Sequence, residues 1–318
     1  EIPDQWESLV SCWRALNKEK KTVLKETLAP DDADEYFIYQ TLAGSWPLDE
    51  DTDPPYIERL ENYMLKSLRE AKLHSSWRFP DEDYEAGVIS FIRSILENSG
   101  KKNHFLDDFL PFCRYVARCG FFNSLSQTLI KITAPGVPDF YQGDELMNLN
   151  LVDPDNRRLV DYEKRRELVR ELRENVRQNF MELFPETQSL LEAADRLKLF
   201  AVMKGLEARK RHFALYQDGS YIPLNISGAR SKNVVAFARR LGDLWSITAV
   251  PRFLADLILN QRLPLGSAVW KDTAAELPSG APDSWDNILT GDCIAGKDNL
   301  PAGEIFETFP AALLIGGS

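Results

Sequence analysis

Cysteine and histidine are scarce in this chain: four Cys and three His among 318 residues. Cys12, Cys113, Cys119 and Cys293 are scattered and form no C-x-x-C pair, so neither a zinc site nor a disulfide framework is supported. Cys113 and Cys119 sit on a predicted helix at a spacing that puts them on different faces. Reduced thiols and a cytoplasmic location are the expectation. No apolar run approaches the ~20 residues that a transmembrane helix needs. Positive charge is in deficit, with 38 Lys and Arg against 49 Asp and Glu, a net charge of -11 and a pI near 5.0. Nucleic acid and anionic membranes are thereby excluded as expected partners, because both need a basic patch. There is no G-x-S-x-G elbow, P-loop, G-x-G-x-x-G or H-E-x-x-H, so serine hydrolase, kinase, dehydrogenase and zincin readings lack support. No internal repeat is visible. The first residue is Glu1, not a methionine, and the chain is read as a piece of something longer; a missing signal peptide then says little about location.

What is present is enough apolar residue, 44% of the chain, for a sizeable core and two or three domains. The first third reads as helical. Asp31–Ala43 carries Tyr36, Ile38, Tyr39 and Leu42 behind an acidic first turn, with Gly44 expected just past its end. From Tyr56 to Lys72, Ile57, Leu60, Met64, Leu68 and Ala71 recur at spacings of three and four, opposite a face with Lys66, Arg69 and Glu70. Pro80 and Asp81 open another helix, with a stripe of Tyr84, Val88, Phe91, Ile92, Ile95 and Leu96 that Asn98–Gly100 ends. Leu106–Thr133 is helical and open to a break near Gly120. Tyr162–Asn179 is a highly charged helix, read as a solvated surface, and Leu197–Arg209 is a further helix. From Tyr221 the texture changes to short β-rich runs separated by Gly, Pro, Asn and Asp turns: Asn233–Ala238, Trp245–Val250, Trp270–Pro278, Trp285–Leu289 and Ile305–Ile315. That pattern points to a small antiparallel sandwich.

Between these regions lies Ala134–Tyr162, with three prolines and two glycines and no long periodicity. It is too rich in Tyr, Phe, Leu and Val to be disordered, and ordered irregular segments of this length are usually functional. In PGVPDFYQGDE, Asp139–Tyr141 is short enough to be a buried strand whose exit would place Tyr141, Gln142, Asp144 and Glu145 at a pocket rim. The competing reading is a corner shaped by Gly136, Pro138 and Gly143, with Glu145 in a structural ion pair. In LVDPDNRRLVDY, Asp153-Pro154 and Asp155-Asn156 are turn dipeptides, and Arg157 and Arg158 can bond either carboxylates or ligand hydroxyls. His74, in KSLREAKLHSSW, follows a basic helix face; a cap or packing role competes with a binding one.

Taken together, YQTLAGSWP (Tyr39–Pro47), KSLREAKLHSSW (Lys66–Trp77), TAPGVPDFYQGDEL (Thr133–Leu146) and LVDPDNRR with VDY (Leu151–Tyr162) resemble maltooligosyl trehalose synthase of the α-amylase superfamily. YIPL, VVAFARR, WKDT and WDNILTG extend the likeness colinearly through the last third. The resemblance implies an intramolecular transglucosylase that turns the reducing-end α-1,4 linkage of a maltooligosaccharide into an α,α-1,1 linkage. It implies a (β/α)8 barrel with a C-terminal β-domain, no metal and no organic cofactor. The mechanism would be that of a retaining glycosidase, with a carboxylate nucleophile and a second carboxyl as acid/base.

The motifs that carry those catalytic carboxylates in the family are absent here, and EIPDQW resembles the region just after them. The chain is therefore similar to the C-terminal portion, with no catalytic residue assigned within it and the N-terminal part of the same enzyme as its partner. The expected class is α+β and multidomain. A helical region covers 1–110, the terminal part of the barrel 111–210, and an antiparallel β-sandwich 211–318. Substrate contacts carried over from the resemblance are Arg157 first, then Asp153, Asp155 and Asn156, with Arg158, Tyr141, Gln142, Glu145, His74 and Lys72. Leu159 stands where the family usually has proline. Two rivals stay open. One is a non-catalytic carbohydrate-binding module using exposed Trp245, Trp270 or Trp285. The other is an amylase-type glucanotransferase, against which the DPDNRR element argues.

Overall fold

The computed structural model describes residues 1–25, 27–48, 54–97, 102–174, 189–258 and 263–317. The chain divides into two compact units: Ile2–Arg118 with Leu149–Leu159, and Glu1 with Cys119–Asn148 and Val160–Ser318.

The first unit is helical. It contains α1 (Pro3–Asn17), the two-strand ladder β1 (Thr22–Val23) and β2 (Leu28–Ala29), α2 (Asp32–Ser45), α3 (Pro54–Ala71), α4 (Glu82–Leu96) and the first part of α5 (His104–Thr133). Aspartates start two of these helices. Asp31 accepts the N–H groups of Ala33 and Asp34 at 2.9 and 2.8 Å, and Asp81 accepts that of Tyr84 at 3.0 Å. The apolar stripes read from spacing are the core: Ile38, Tyr39, Leu42, Leu60, Met64, Leu68, Val88, Phe91, Ile92 and Ile95 are all buried. Trp13 lies among them with edge contacts to Tyr39, Phe105, Phe109 and Phe112, and its indole N–H donates to Asp108 Oδ2 at 2.7 Å.

Two helix ends differ from expectation. Gly44 lies inside the last turn of α2, which ends at Ser45 with the Trp46 N–H bonded to the Leu42 carbonyl. α5 runs unbroken through Gly120 and also contains Pro111. A helical glycine costs roughly 1 kcal/mol against alanine, and the buried flanks Phe109, Phe112, Leu125 and Leu129 outweigh that. The expected stop at Asn98–Gly100 lies outside the described residues.

The second unit opens with the rest of α5, then α6 (Tyr162–Glu174), α7 (Leu190–Arg211) and α8 (Phe213–Asp218). The charged run is helical to Glu174, with Leu168 and Leu172 buried beside Leu146 and Leu199; residues 175–179 lie outside the described residues. Strands β3 (Ser220–Pro223), β5 (Val234–Leu241), β6 (Leu244–Pro251), β8 (Ser284–Asn287), β9 (Cys293–Ala295) and β11 (Ala312–Gly316) form a six-stranded sheet in the order β3-β5-β6-β11-β8-β9. Strands β4 (Ile226–Ser227), β7 (Ala274–Glu276) and β10 (Asn299–Pro301) form a three-stranded sheet in the order β10-β7-β4. Every ladder is antiparallel. Gly242, at φ 61°, makes the tight turn between β5 and β6, a backbone shape that favours glycine. β11 is buried on both faces by simple alternation. Ala312 and Leu314 join Ala275 and Leu300 of the smaller sheet, while Leu313 joins Leu125, Leu129 and Leu197 of the helices.

Trp270 ends a single helical turn, α9 (Ser267–Trp270), and residues 302–305 form another, α10 (Ala302–Ile305), so the β-rich runs expected there are shorter than predicted. Trp245, Trp270 and Trp285 are each at most 1% exposed. The carbohydrate-binding rival thereby loses its residues to the core. Asp139–Tyr141 is not a buried strand: the backbone there forms no ladder, and Asp139 and Tyr141 are exposed. A strand exists only through neighbours that complete its hydrogen bonds, and none is found among the described residues.

Candidate functional site

Seven of the ten candidate residues belong to the first unit. The loop Leu149–Leu159 is organised by Asp155, whose side chain is 9% exposed. One carboxylate oxygen accepts Arg59 Nε at 2.7 Å, and the other accepts Arg59 Nη2 at 2.9 Å and the Leu151 N–H at 2.7 Å. Arg59 also donates to the Leu149 carbonyl at 3.2 Å, and Arg158 Nε lies 3.2 Å from the same carboxylate. Burial pushes the Asp155 carboxyl up, but the Arg59 and Leu151 hydrogen bonds with the charges of Arg59 and Arg158 outweigh it and hold it below the usual carboxylate range. The acceptors of Asp155 are thus taken up by the protein itself. It anchors the loop.

Lys66, two turns beyond Arg59 on α3, donates to the Asp153 carbonyl at 2.6 Å. Residues 155–157 form one 3-10 turn, with the Arg157 N–H bonded to the Pro154 carbonyl at 3.0 Å. The Asp153–Pro154 bond is cis. Arg157 pairs with Asp153, and its side chain stays 69% exposed. Arg158 is half-exposed and also donates to Asn150. Asn156 Oδ1 is buried without a hydrogen-bond partner among the described residues. Arg157 is thus the most exposed cation of the loop, and Leu159 is fully exposed.

His74 Nε2 meets Asp31 Oδ2 at 2.7 Å, and its ring stacks on Tyr84 at 4.1 Å. The Tyr84 hydroxyl donates to Asp34 at 2.5 Å and accepts the Asp31 N–H at 3.0 Å. Burial and Asp34 raise the Tyr84 hydroxyl, and burial raises the Asp34 carboxyl. Asp31, Asp34 and His74 have ligand atoms within 4.8 Å of one another, the one grouping among the described residues with metal-ligand spacing. Each already has a protein partner, and Asp31 caps α2. His74 fits the cap-and-packing reading. Lys72 ends α3 in the left-handed region at φ 58°, and its side chain is exposed.

The other three candidates lie in the second unit. Arg209 donates to the Ile132 and Gly136 carbonyls at 2.5 Å each, and buried Arg239 donates to the Thr133 carbonyl at 3.3 Å. These cations satisfy the last carbonyls of α5 and fix where the segment begins. Residues 141–146 are a turn, with the Asp144 N–H bonded to the Tyr141 carbonyl at 3.0 Å. Gly143 sits at φ 88° beneath Arg165, which donates to the Gly143 carbonyl at 2.9 Å and pairs with Glu145. Glu145 therefore fits the ion-pair reading. Lys198 of α7, buried, donates to the Leu146 carbonyl at 2.9 Å, and burial is the main cause that lowers its ammonium. Tyr141 and Gln142 are both exposed. Arg59, Lys198 and Arg209 were not singled out from sequence. For Arg59 a signal existed, since it shares a helical face with Lys66.

No family model matches the chain. A curated Mycobacterium tuberculosis protein with the provisional name maltooligosyl trehalose synthase is 31% identical over 287 residues, 90% of this chain and 32% of that protein. The solved structure of maltooligosyltrehalose synthase from Arthrobacter ramosus matches 99% of this chain and 35% of its own, at 25% identity and a TM-score of 0.75. That of a hypothetical maltooligosyl trehalose synthase from Sulfolobus tokodaii matches 99% and 35%, at 25% identity and a TM-score of 0.65. The resemblance carried by the motifs is thus shown in both sequence and structure. The chain spans about a third of the length of the relatives it matches.

Proposed function

We propose that the chain is the C-terminal part of an intramolecular transglucosylase that converts the reducing-end α-1,4 linkage of maltooligosaccharides to α,α-1,1, a step of trehalose biosynthesis. The observation that carries this is the colinear match to maltooligosyl trehalose synthases over 90% of the chain, together with a DPDNRR loop whose frame is fixed while Arg157 is left projecting. On this reading residues 111–210 supply the terminal part of a (β/α)8 barrel and residues 211–318 a β-sandwich domain. Asp139–Tyr141 takes its ladder bonds only when the remaining strands are present.

The bond-breaking carboxylates come from the N-terminal part of the same enzyme, which is this chain's partner. No metal or organic cofactor is needed. The released glucose stays in place and attacks through its anomeric hydroxyl, so water has to be kept out. The residues here do the holding. Arg157 offers charge-assisted donors to sugar hydroxyls, with Asp153 orienting it, and Asn156 is the next polar group of the loop beside it. Asp155 works through Arg59 by keeping the loop in shape.

The test is Arg157→Ala in the complete enzyme, read as kcat/KM for maltopentaose. Loss of a charge-assisted contact is expected to cost at least about 2 kcal/mol. A change within error would return Arg157 to the loop's own structure.

A further inference from the structure

Six of the seven tryptophans lie within or against a core. Trp77 is 60% exposed, and Phe79 and Leu73 beside it are 73% and 77% exposed. Solvent-exposed aromatics on a mobile loop would signify little. This loop is fixed at both ends and across its middle. Ser75, buried, donates to Glu85 at 2.5 Å and accepts the Asp81 N–H at 3.1 Å. Ser76 donates its N–H and its hydroxyl to the Phe79 carbonyl at 3.2 and 3.3 Å and accepts the Phe79 N–H at 3.0 Å, closing a tight turn with Trp77 and Arg78 at its tip.

Behind Trp77 stands Arg69, whose guanidinium carbon is 5.1 Å from the indole centroid. Arg69 is itself immobilised by two hydrogen bonds to the Glu85 carboxylate, at 2.8 and 2.7 Å. An exposed indole, backed by a cation that cannot swing away, is a pre-organised flat apolar surface. The same short segment carries further exposed cations: Arg78, with its guanidinium 5.3 Å from the Phe79 ring, and Lys72. Helix α3 serves both the DPDN loop and this platform. Lys66, which holds the Asp153 carbonyl, and Arg69, which backs Trp77, are i and i+3 neighbours on α3, about 4.5 Å apart along its axis.

We propose that Trp77 is a stacking platform for one glucosyl unit of a maltooligosaccharide, held beside the DPDN loop by the Arg69–Glu85 pair. This rests on the transglucosylase reading for the identity of the glucan. A glucose ring has an apolar C–H face and a rim of hydroxyls, so it needs a flat apolar partner ringed by hydrogen-bond donors. That is the composition of residues 69–79. Arg69 is a positioning residue, acting through the indole.

The indole N–H resonance of Trp77 in the 318-residue chain, assigned with Trp77→Phe, is followed during titration with maltopentaose. Kinetics of Trp77→Ala and Arg69→Met are measured in the complete enzyme. The Trp77 resonance is expected to shift saturably, the Trp77→Ala KM for maltopentaose to rise at least tenfold with kcat kept within threefold, and Arg69→Met to show a smaller rise. A product-forming enzyme whose Trp77→Ala KM is unchanged would overturn the platform and leave the transglucosylase reading standing. A saturable Trp77 shift in an enzyme that makes no trehalose end groups would do the reverse. If Trp77→Ala instead changes only the oligomeric state, the patch is a protein contact and the proposal fails.

Discussion

Residues 134–162 form one unbroken proline-rich stretch in the sequence, yet they fold as two differently held pieces. The piece at Leu149–Leu159 is gathered around a carboxylate, with Asp155 receiving Arg59, Arg158 and a backbone N–H. The piece before it is held largely by cations on main-chain carbonyls, with Arg209 on Ile132 and Gly136, Arg165 on Gly143, and Lys198 on Leu146. A carboxylate hub concentrates a loop's stability in one side chain and exposes it to acid. Carbonyl clamps spread the load and do not titrate in acid. The two pieces also belong to different compact units.

The largest effect that can break this contrast is expected from Asp155→Ala. It strands the half-buried Arg59 and frees the Leu151 N–H, at a cost of about 3 kcal/mol in urea denaturation. The double change Arg59→Met with Asp155→Leu should recover part of that, because the half-buried Arg59 charge is removed while the Leu151 N–H still lacks its acceptor. A loss below ~0.5 kcal/mol for Asp155→Ala would show that the loop has no hub. Gly143→Ala comes next. At φ 88°, with Arg165 Nη2 placed 3.3 Å from the new methyl, the strain is expected to cost about 1 kcal/mol, seen as a lower Tm. An unchanged Tm would mean that the turn relaxes freely.

Acid should separate the two pieces more subtly. The Asp155 pKa is depressed on folding, so its stabilisation is fully present above the unfolded value of ~3.9 and is lost as the pH falls through the folded value. Below pH ~4, amide exchange at Leu151 should quicken before that of residues 132–136, where Arg209 meets only carbonyls. Simultaneous quickening at both places would erase the distinction.

Much of the helical unit was legible in sequence, because its signals are local. The 3.6-residue stripes of α3 and α4 became the core, and Asp31 and Asp81 stand where caps are expected. The antiparallel texture after residue 220 was legible for the same reason. The site was legible mainly as composition. That Asp155 would meet Arg59, or Leu146 meet Lys198, depends on contacts across long stretches of chain that no local pattern encodes. The Asp139–Tyr141 strand misled because its apolar, proline-flanked run says nothing about whether neighbours exist to pair with it. Trp77 had no signal beyond its type; only its exposure against six packed tryptophans sets it apart.

The central claim, that this is one portion of a maltooligosaccharide transglucosylase, is tested most directly by incubating maltopentaose with the isolated chain and with the protein of its complete reading frame. The complete protein is predicted to consume reducing ends without releasing glucose, giving a maltooligosyl trehalose, and the isolated chain to leave maltopentaose unchanged. Turnover by the isolated chain, or glucose as the main product of the complete protein, would contradict it.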